Sequence, residues 1–237
     1  MPAVEPQFPW HHVHVTMAER QRAASWYEQY LGATLKTPTP RSENLMYGPN
    51  LMQFQGDAVA GPLTGSRLLS LGFTVPSVAT ITGLTNVRAV QASGTVLATD
   101  PFGMQLELTV GDTFAQTHLN IAADAPDELA DWYHTHFGGE ACTCDFDPQR
   151  RGLAWDTYRI YFLPMQATPT DNRCIDHIGW YTTNLDAEYQ ALIDSGVDFA
   201  VPPRDFGAVR LAFARDPTGI WIELVEPPNG KVPKPVC

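Results

Sequence analysis

Short runs in which apolar and polar residues alternate are broken by stretches of helical period. Alternation marks a strand with one buried face. Leu119 and Ile121 point one way, His118 and Asn120 the other. Ile178 and Trp180 oppose His177 and Tyr181, and Ile222 and Leu224 oppose Glu223. The helical stretches read differently. Ala23, Trp26, Tyr27, Tyr30 and Leu31 form an apolar stripe closed by Gly32,. Leu129, Trp132, Tyr133, His136 and Phe137 repeat the stripe ahead of Gly138-Gly139. A third helix is predicted over Asp186–Ser195, with Tyr189, Leu192 and Ile193 inward and Gly196 after it. A weak fourth is predicted over Val78–Thr85, where threonines and Gly83 work against it,.

These elements recur. His12, Trp26, Tyr27 and Gly32 match His118, Trp132, Tyr133 and Gly138, each pair 106 apart. ATDPFGMQLEL (98–108) matches ARDPTGIWIEL (214–224), with Asp100 and Asp216, Gly103 and Gly219, and Glu107 and Glu223 each 116 apart. The difference of 10 implies an insertion in the second half, expected near Asp145–Arg151. Each half divides again, because RLLSLGFTVPS (67–77) and CIDHIGWYTTN (174–184) both read as a strand entering a turn, with Ser70 opposite His177. The chain is thus four modules of strand, helix and further strands, an α+β architecture.

The apolar side of each strand covers the helices and leaves His118, His177 and Glu223 on the concave side of a sheet. Two imidazoles and a carboxylate form a three-residue set that suits Fe(II), Mn(II), Zn(II), Ni(II) or Co(II) and leaves coordination positions open. Glu223 can act as ligand and base at once, and Tyr181, on the His177 face, is a second catalytic candidate. Arg204, Arg210 and Arg215 surround the last hairpin, and Arg150-Arg151 fall in the expected insertion; any of them can hold a carboxylate or phosphate,. Trp155 and Trp221 either line a pocket or fill the core. The formal net charge of −11 gives no footprint for nucleic acid or an anionic membrane,. No apolar run reaches the ~20 residues of a membrane span, and no signal-peptide order is visible at the N-terminus. Four cysteines, unevenly placed, do not make a disulfide framework, which points to a cytoplasmic, reduced protein,.

Two halves that follow one plan, His…His…DPxGxxxE in the second (with DHIGWYTTNLDAEYQALIDSGV and FARDPTGIWIELVEP) and His…Ser…DPxGxxxE in the first, resemble the vicinal oxygen chelate superfamily, which includes glyoxalase I, extradiol dioxygenases and bleomycin resistance proteins. The similarity runs from about Phe8 to Pro227. It implies four βαβββ modules forming two glyoxalase-like domains, 8–112 and 116–228, each a curved mixed sheet around a cavity with helices outside. It also implies one divalent metal ion on His118, His177 and Glu223. The family's fourth ligand falls near Tyr161, a poor ligand, so a three-residue site is expected, with Tyr158 and Tyr161 as substrate contacts beside Arg204 and Arg210. The first half departs from the pattern. It keeps His12 and Glu107 but has Ser70 where the second histidine belongs; Gln53 lies near the fourth position and His14 shares a face with His12. A degenerate half is expected there.

Tandem halves with the metal in the second resemble the extradiol dioxygenases, but Phe213 stands where their signature has tyrosine, and no histidine follows His177. The expected activity is therefore a glyoxalase-like lyase or isomerase acting on a small substrate that chelates through oxygen atoms. Fe(II)-dependent ring cleavage and non-enzymatic small-molecule binding, as in the resistance proteins, are the alternatives. Either a monomer or a homodimer is compatible with four modules in one chain.

Overall fold

The computed structural model describes residues 8–36, 39–56, 67–90, 94–144, 147–156, 158–166 and 175–232. The first module is β1 (Trp10–Thr16), α1 (Arg20–Leu31), β2 (Thr34–Leu35), β3 (Ser42–Tyr47) and β4 (Asn50–Gln55). The second is β5 (Leu68–Val75), β6 (Thr85–Val90), β7 (Thr95–Thr99) and β8 (Gln105–Val110). Its expected helix is reduced to a single 3-10 turn, Val78–Thr80, as the threonines and Gly83 allow,. The third is β9 (Ala115–Ala123), α2 (Pro126–Phe137), β10 (Glu140–Cys144), β11 (Asp147–Trp155) and β12 (Tyr158–Pro164). The fourth is β13 (Ile175–Tyr181), α3 (Leu185–Asp194), β14 (Asp198–Phe206), β15 (Val209–Arg215) and β16 (Trp221–Glu226).

The modules make two eight-stranded mixed sheets, and the partners are not the expected ones. One sheet runs β14-β15-β16-β13-β1-β4-β3-β2, the other β10-β11-β12-β9-β5-β8-β7-β6. The first module therefore joins the fourth, and the second joins the third. The halves 8–112 and 116–228 do not each close a sheet of their own. Chain connectivity supplies the reason. Only Gly111–Phe114 separates β8 from β9, whereas residues 56–67 and 165–174 link the other modules. A short link keeps consecutive modules adjacent, and the longer ones let the outer pair meet. The seam of each sheet is an antiparallel pair of first strands, β1 with β13 and β5 with β9.

The extra residues of the second half are also placed differently. Gly72 and Gly179 are 107 apart (179 − 72), whereas Glu107 and Glu223 are 116 apart (223 − 107). The added length thus lies between those points, where α3 and a long β14 replace the 3-10 turn and a short β6. It does not lie at Asp145–Arg151, whose residues 147–151 belong to β11 (residues 145 and 146 lie outside the described residues).

One apolar core serves both sheets. Tyr27 of α1 touches Phe54 of one sheet and Phe73 of the other, and Tyr133 of α2 touches Phe162 and Trp180 in the same way. The two tyrosines are also hydrogen-bonded across the sheets. Tyr27 Oη donates to Asp100 Oδ2 at 2.8 Å, and Tyr133 Oη to Asp216 Oδ2 at 3.0 Å. This explains the repeated DPxG motif. Each buried aspartate turns its second oxygen to the backbone of its own turn, Asp100 accepting from Phe102 and Met104 and Asp216 from Thr218 and Ile220. The motif thus shapes a turn and ties the sheets together. Among the described residues, no helix is long and apolar enough to cross a membrane.

Candidate metal centre

His12 enters on β1 and His177 on β13, neighbours at the seam of the first sheet; Glu223 lies on β16, beside β13. Their alternation is that of half-buried strands, with Val13, Ile178 and Ile222 turned into the core,. In register, His12 faces Gly179, and Gly179 pairs with Glu223. The glycine is required, since a Cβ there would collide with the His12 ring. The three side chains then meet. Nε2 of His12 and Nε2 of His177 each lie 3.1 Å from the same oxygen, Glu223 Oε2. All three candidate ligand atoms fall within 4.8 Å of one another.

The surroundings orient both rings. His177 Nδ1 bonds Asp176 Oδ2 at 3.3 Å, and His12 Nδ1 bonds His11 Nδ1 at 3.0 Å. A carboxylate behind a ligand histidine sets its tautomer and raises its basicity. His11 in turn stacks on Tyr181 with ring centroids 4.0 Å apart. His14, stacked on His177 at 4.3 Å, brings Nδ1 to 3.2 Å from Asp176 Oδ2.

The electrostatics match this packing. Burial would lower the His177 pKa, but hydrogen bonds to Asp176 and Glu223 outweigh it and raise it to about 9,. His12 and His14 are lowered, chiefly by burial, which favours the neutral imidazole that a metal needs,. Burial would raise Glu223, yet His12 and His177 hold it well below the usual carboxylate range. His12 Nε2 is buried, and its 3.1 Å contact with Glu223 is not aligned as a hydrogen bond; it has no other partner among the described residues. Two buried ring nitrogens facing one ionised carboxylate are a donor set that fits a divalent cation.

The register marks one further polar position. Two residues on from His177, Gly179 pairs with Glu223; two residues on from His12, His14 pairs with Gln53. Gln53 is thus the counterpart of Glu223, and it bonds Asn44 through Nε2, leaving Oε1 without a hydrogen bond among the described residues.

His118, expected in this set, is not part of it. It lies on β9 in the second sheet, with Nε2 at 3.1 Å from Glu107 Oε2. The correction follows from the pairing of modules: the strand that joins β13 is β1, so His12 takes the place assigned to His118. In the second sheet Ser70 occupies the His177 position and bonds Asn120, while Arg150 reaches in from β11. Its Nη1 lies 3.1 and 3.0 Å from the two oxygens of Glu107 and 3.0 Å from Asn120 Oδ1. A Cβ at Gly72 would collide with His118, as one at Gly179 would with His12.

The remaining candidates divide. Tyr181 stays beside the cluster, half-buried against His11. Burial raises its pKa, so it holds its proton at neutral pH and is a donor rather than a base,. Tyr158 is core, stacked on Trp10 at 4.0 Å, and Tyr161 lies beside His118 in the second sheet; neither reaches the cluster. Arg210 is engaged by Asp186, Asp205 and Glu226, so it is not free to hold a substrate. Arg204 is exposed on β14, paired in register with Leu211. Arg151 pairs with Asp131, and Trp155 packs in the core against Trp180. Sequence reasoning missed His12, Asp176 and Gly179 as members of one site. The signal available for His12 was its place in HHVHV, equivalent to His118, together with the four-residue link that keeps the second and third modules together.

Residues 115–224 match the family described as the Glyoxalase/Bleomycin resistance protein/Dioxygenase superfamily. No curated protein matches the chain in sequence. Among solved structures, a point mutant of glyoxalase I from Zea mays superposes with a TM-score of 0.73 at 13% identity, covering 93% of this chain and 93% of that one. Unmutated glyoxalase I from Zea mays gives 0.68 at 14% identity, with 92% of each chain covered. A putative dioxygenase from Bacillus subtilis gives 0.68 at 17% identity, covering 94% of this chain and 86% of that one. Residues 115–224 are thus similar to the glyoxalase/bleomycin resistance protein/dioxygenase superfamily, and the whole chain carries the fold of glyoxalase I.

Proposed function

We propose that the chain is a metal-dependent enzyme of lyase or isomerase type, in which His12, His177 and Glu223 hold one divalent ion and Gln53 completes the set. The convergence of two buried Nε2 atoms on one carboxylate oxygen, at 3.1 Å each, carries this reading. A bound divalent ion acts as a Lewis acid on the adjacent oxygens of a small chelating substrate. The chain's own groups do the rest. Asp176 and His11 keep the two imidazoles turned inward. Among the described residues Glu223 Oε1 makes no hydrogen bond, although Oε2 faces both histidines, so Oε1 is the atom that takes a proton from the substrate carbon and returns it,. Tyr181 keeps a phenolic proton within the same strand face.

Ring cleavage is the weaker reading, because Phe213 packs edge-on against His177 at 5.3 Å and offers no proton,. Metal analysis of the purified protein, then of His12→Ala and His177→Ala, tests the proposal. One ion per chain, lost in either variant, supports it; stoichiometric metal in both removes it. Oxygen uptake with catechol in the Fe(II) form would move the reaction to the dioxygenase side.

A further inference from the structure

The concave face of the first sheet is ordered in rows across the strands. One row holds Glu223, Gly179 and His12; the next holds Arg215, Trp221, His177 and His14. In that second row Arg215 lies over the Trp221 ring, its guanidinium carbon 4.7 Å from the centroid. Trp221 meets Phe213 edge-on at 5.7 Å, and Phe213 meets His177 at 5.3 Å. A continuous shelf therefore leads from the proposed metal ligands to an exposed arginine.

Arg215 differs from its neighbour Arg210. Arg210 is held by three carboxylates, whereas Arg215 has no ion pair among the described residues, although Asp198 stands opposite it in the register. Stacking on an indole uses the guanidinium's face and leaves its in-plane N–H donors open, in the fork that matches a carboxylate. The ring also limits the rotamers of the arginine, which lowers the entropy cost of catching an anion. Arg215 and His177 are separated by two strand spacings, about 10 Å between backbones. The nearest carboxylates of the metal cluster, Asp176 and Glu223, are engaged by histidines.

We infer that Arg215, seated on Trp221, is the residue that selects the substrate, and that the substrate is a small acid. Its chelating oxygens face His12, His177 and Glu223, a planar or apolar spacer lies over Phe213 and Trp221, and a second anionic group, a carboxylate, binds Arg215. This rests on the proposed metal site but is tested apart from it. The probes are benzoylformate, which carries adjacent oxygens on an aromatic ring, and its 4-carboxy derivative, which adds a distal carboxylate. Binding to the full chain loaded with Co(II) is measured by calorimetry and by the cobalt absorption band. The 4-carboxy compound binds roughly tenfold to a hundredfold more tightly, the range of a charge-assisted hydrogen-bonded pair. Arg215→Gln brings the two probes within about twofold of each other and leaves benzoylformate binding unchanged, and Arg215→Lys keeps part of the preference. Circular dichroism confirms that these exposed-site variants fold. A wild-type preference below twofold, or one that survives in Arg215→Gln, overturns the inference. Cobalt stoichiometry separates the two claims: one Co(II) per chain without a carboxylate preference removes only the role of Arg215, and an Arg215-dependent preference without Co(II) uptake removes only the metal centre.

Discussion

On the face of the first sheet, His12 and His177 aim their Nε2 atoms at Glu223. At the matching places of the second sheet stand His118, Ser70 and Glu107, and the guanidinium of Arg150 lies against Glu107 and Asn120. The frameworks agree closely, down to the glycine that makes room for each first histidine. The difference that decides the charge balance is the second histidine, replaced by Ser70, together with the arrival of Arg150. Where the second histidine is present, two imidazoles and a carboxylate are left facing one another, a set that calls for a cation from outside. Where serine replaces it, the chain supplies its own cation. Against burial, which would raise it, His118 and Arg150 hold Glu107 below its ordinary pKa, so the ionised carboxylate of the second face is neutralised internally,. A degenerate repeat thus keeps a buried ion cluster on the polar face of its sheet.

The sharpest way to break this comparison is at the paired glycines. Gly179→Ala pushes the His12 ring away and should weaken metal binding about tenfold to a hundredfold, whereas Gly72→Ala disturbs His118 and should leave metal stoichiometry intact,. Competition with a fluorescent chelator reads both. Arg150→Ala removes the internal cation and strands Glu107. A loss of about 3 kcal/mol in denaturant unfolding is expected, and added metal should recover little of it,. Combining Arg150→Ala with Ser70→His should convert the second face to the pattern of the first, and metal content should rise to two ions per chain. Tyr133→Phe leaves the buried Asp216 short of one donor, for about 1–3 kcal/mol, without altering metal content,.

The smallest effect is a pH trend. His177 has a pKa raised to about 9 in the metal-free fold. Its protonated form therefore stabilises that fold fully below the unfolded value of about 6.5, and the contribution is lost as pH rises through 9. Metal binding near neutral pH expels this proton, so the loaded protein gains stability over the same window. Melting curves between pH 6.5 and 9 should diverge by a few degrees, falling without metal and rising with it.

Much of this was legible in the residues alone. The 106-residue offset exposes the modules, and strand alternation puts His177 and Glu223, like His12, His118 and Glu107, on the polar side of their strands. What alternation cannot say is which module meets which. Both pairings satisfy the same repeat and bury the same faces, so His12 and His118 are equivalent by pattern and are separated only by link length. Arg150 was hidden for a related reason: an arginine between Gln149 and Arg151 reads as surface until β11 is seen to pass within reach of Glu107. The DPxG aspartates read as turn formers, but their tyrosine partners lie in another module and only the fold brings them together.

The central claim is that the metal lies between the first and fourth modules, on His12 rather than His118. Metal content of His12→Ala and His118→Ala, purified in parallel and titrated with Co(II), tests it most directly. The account predicts about one ion per chain retained in His118→Ala and none in His12→Ala. The reverse pattern would contradict it.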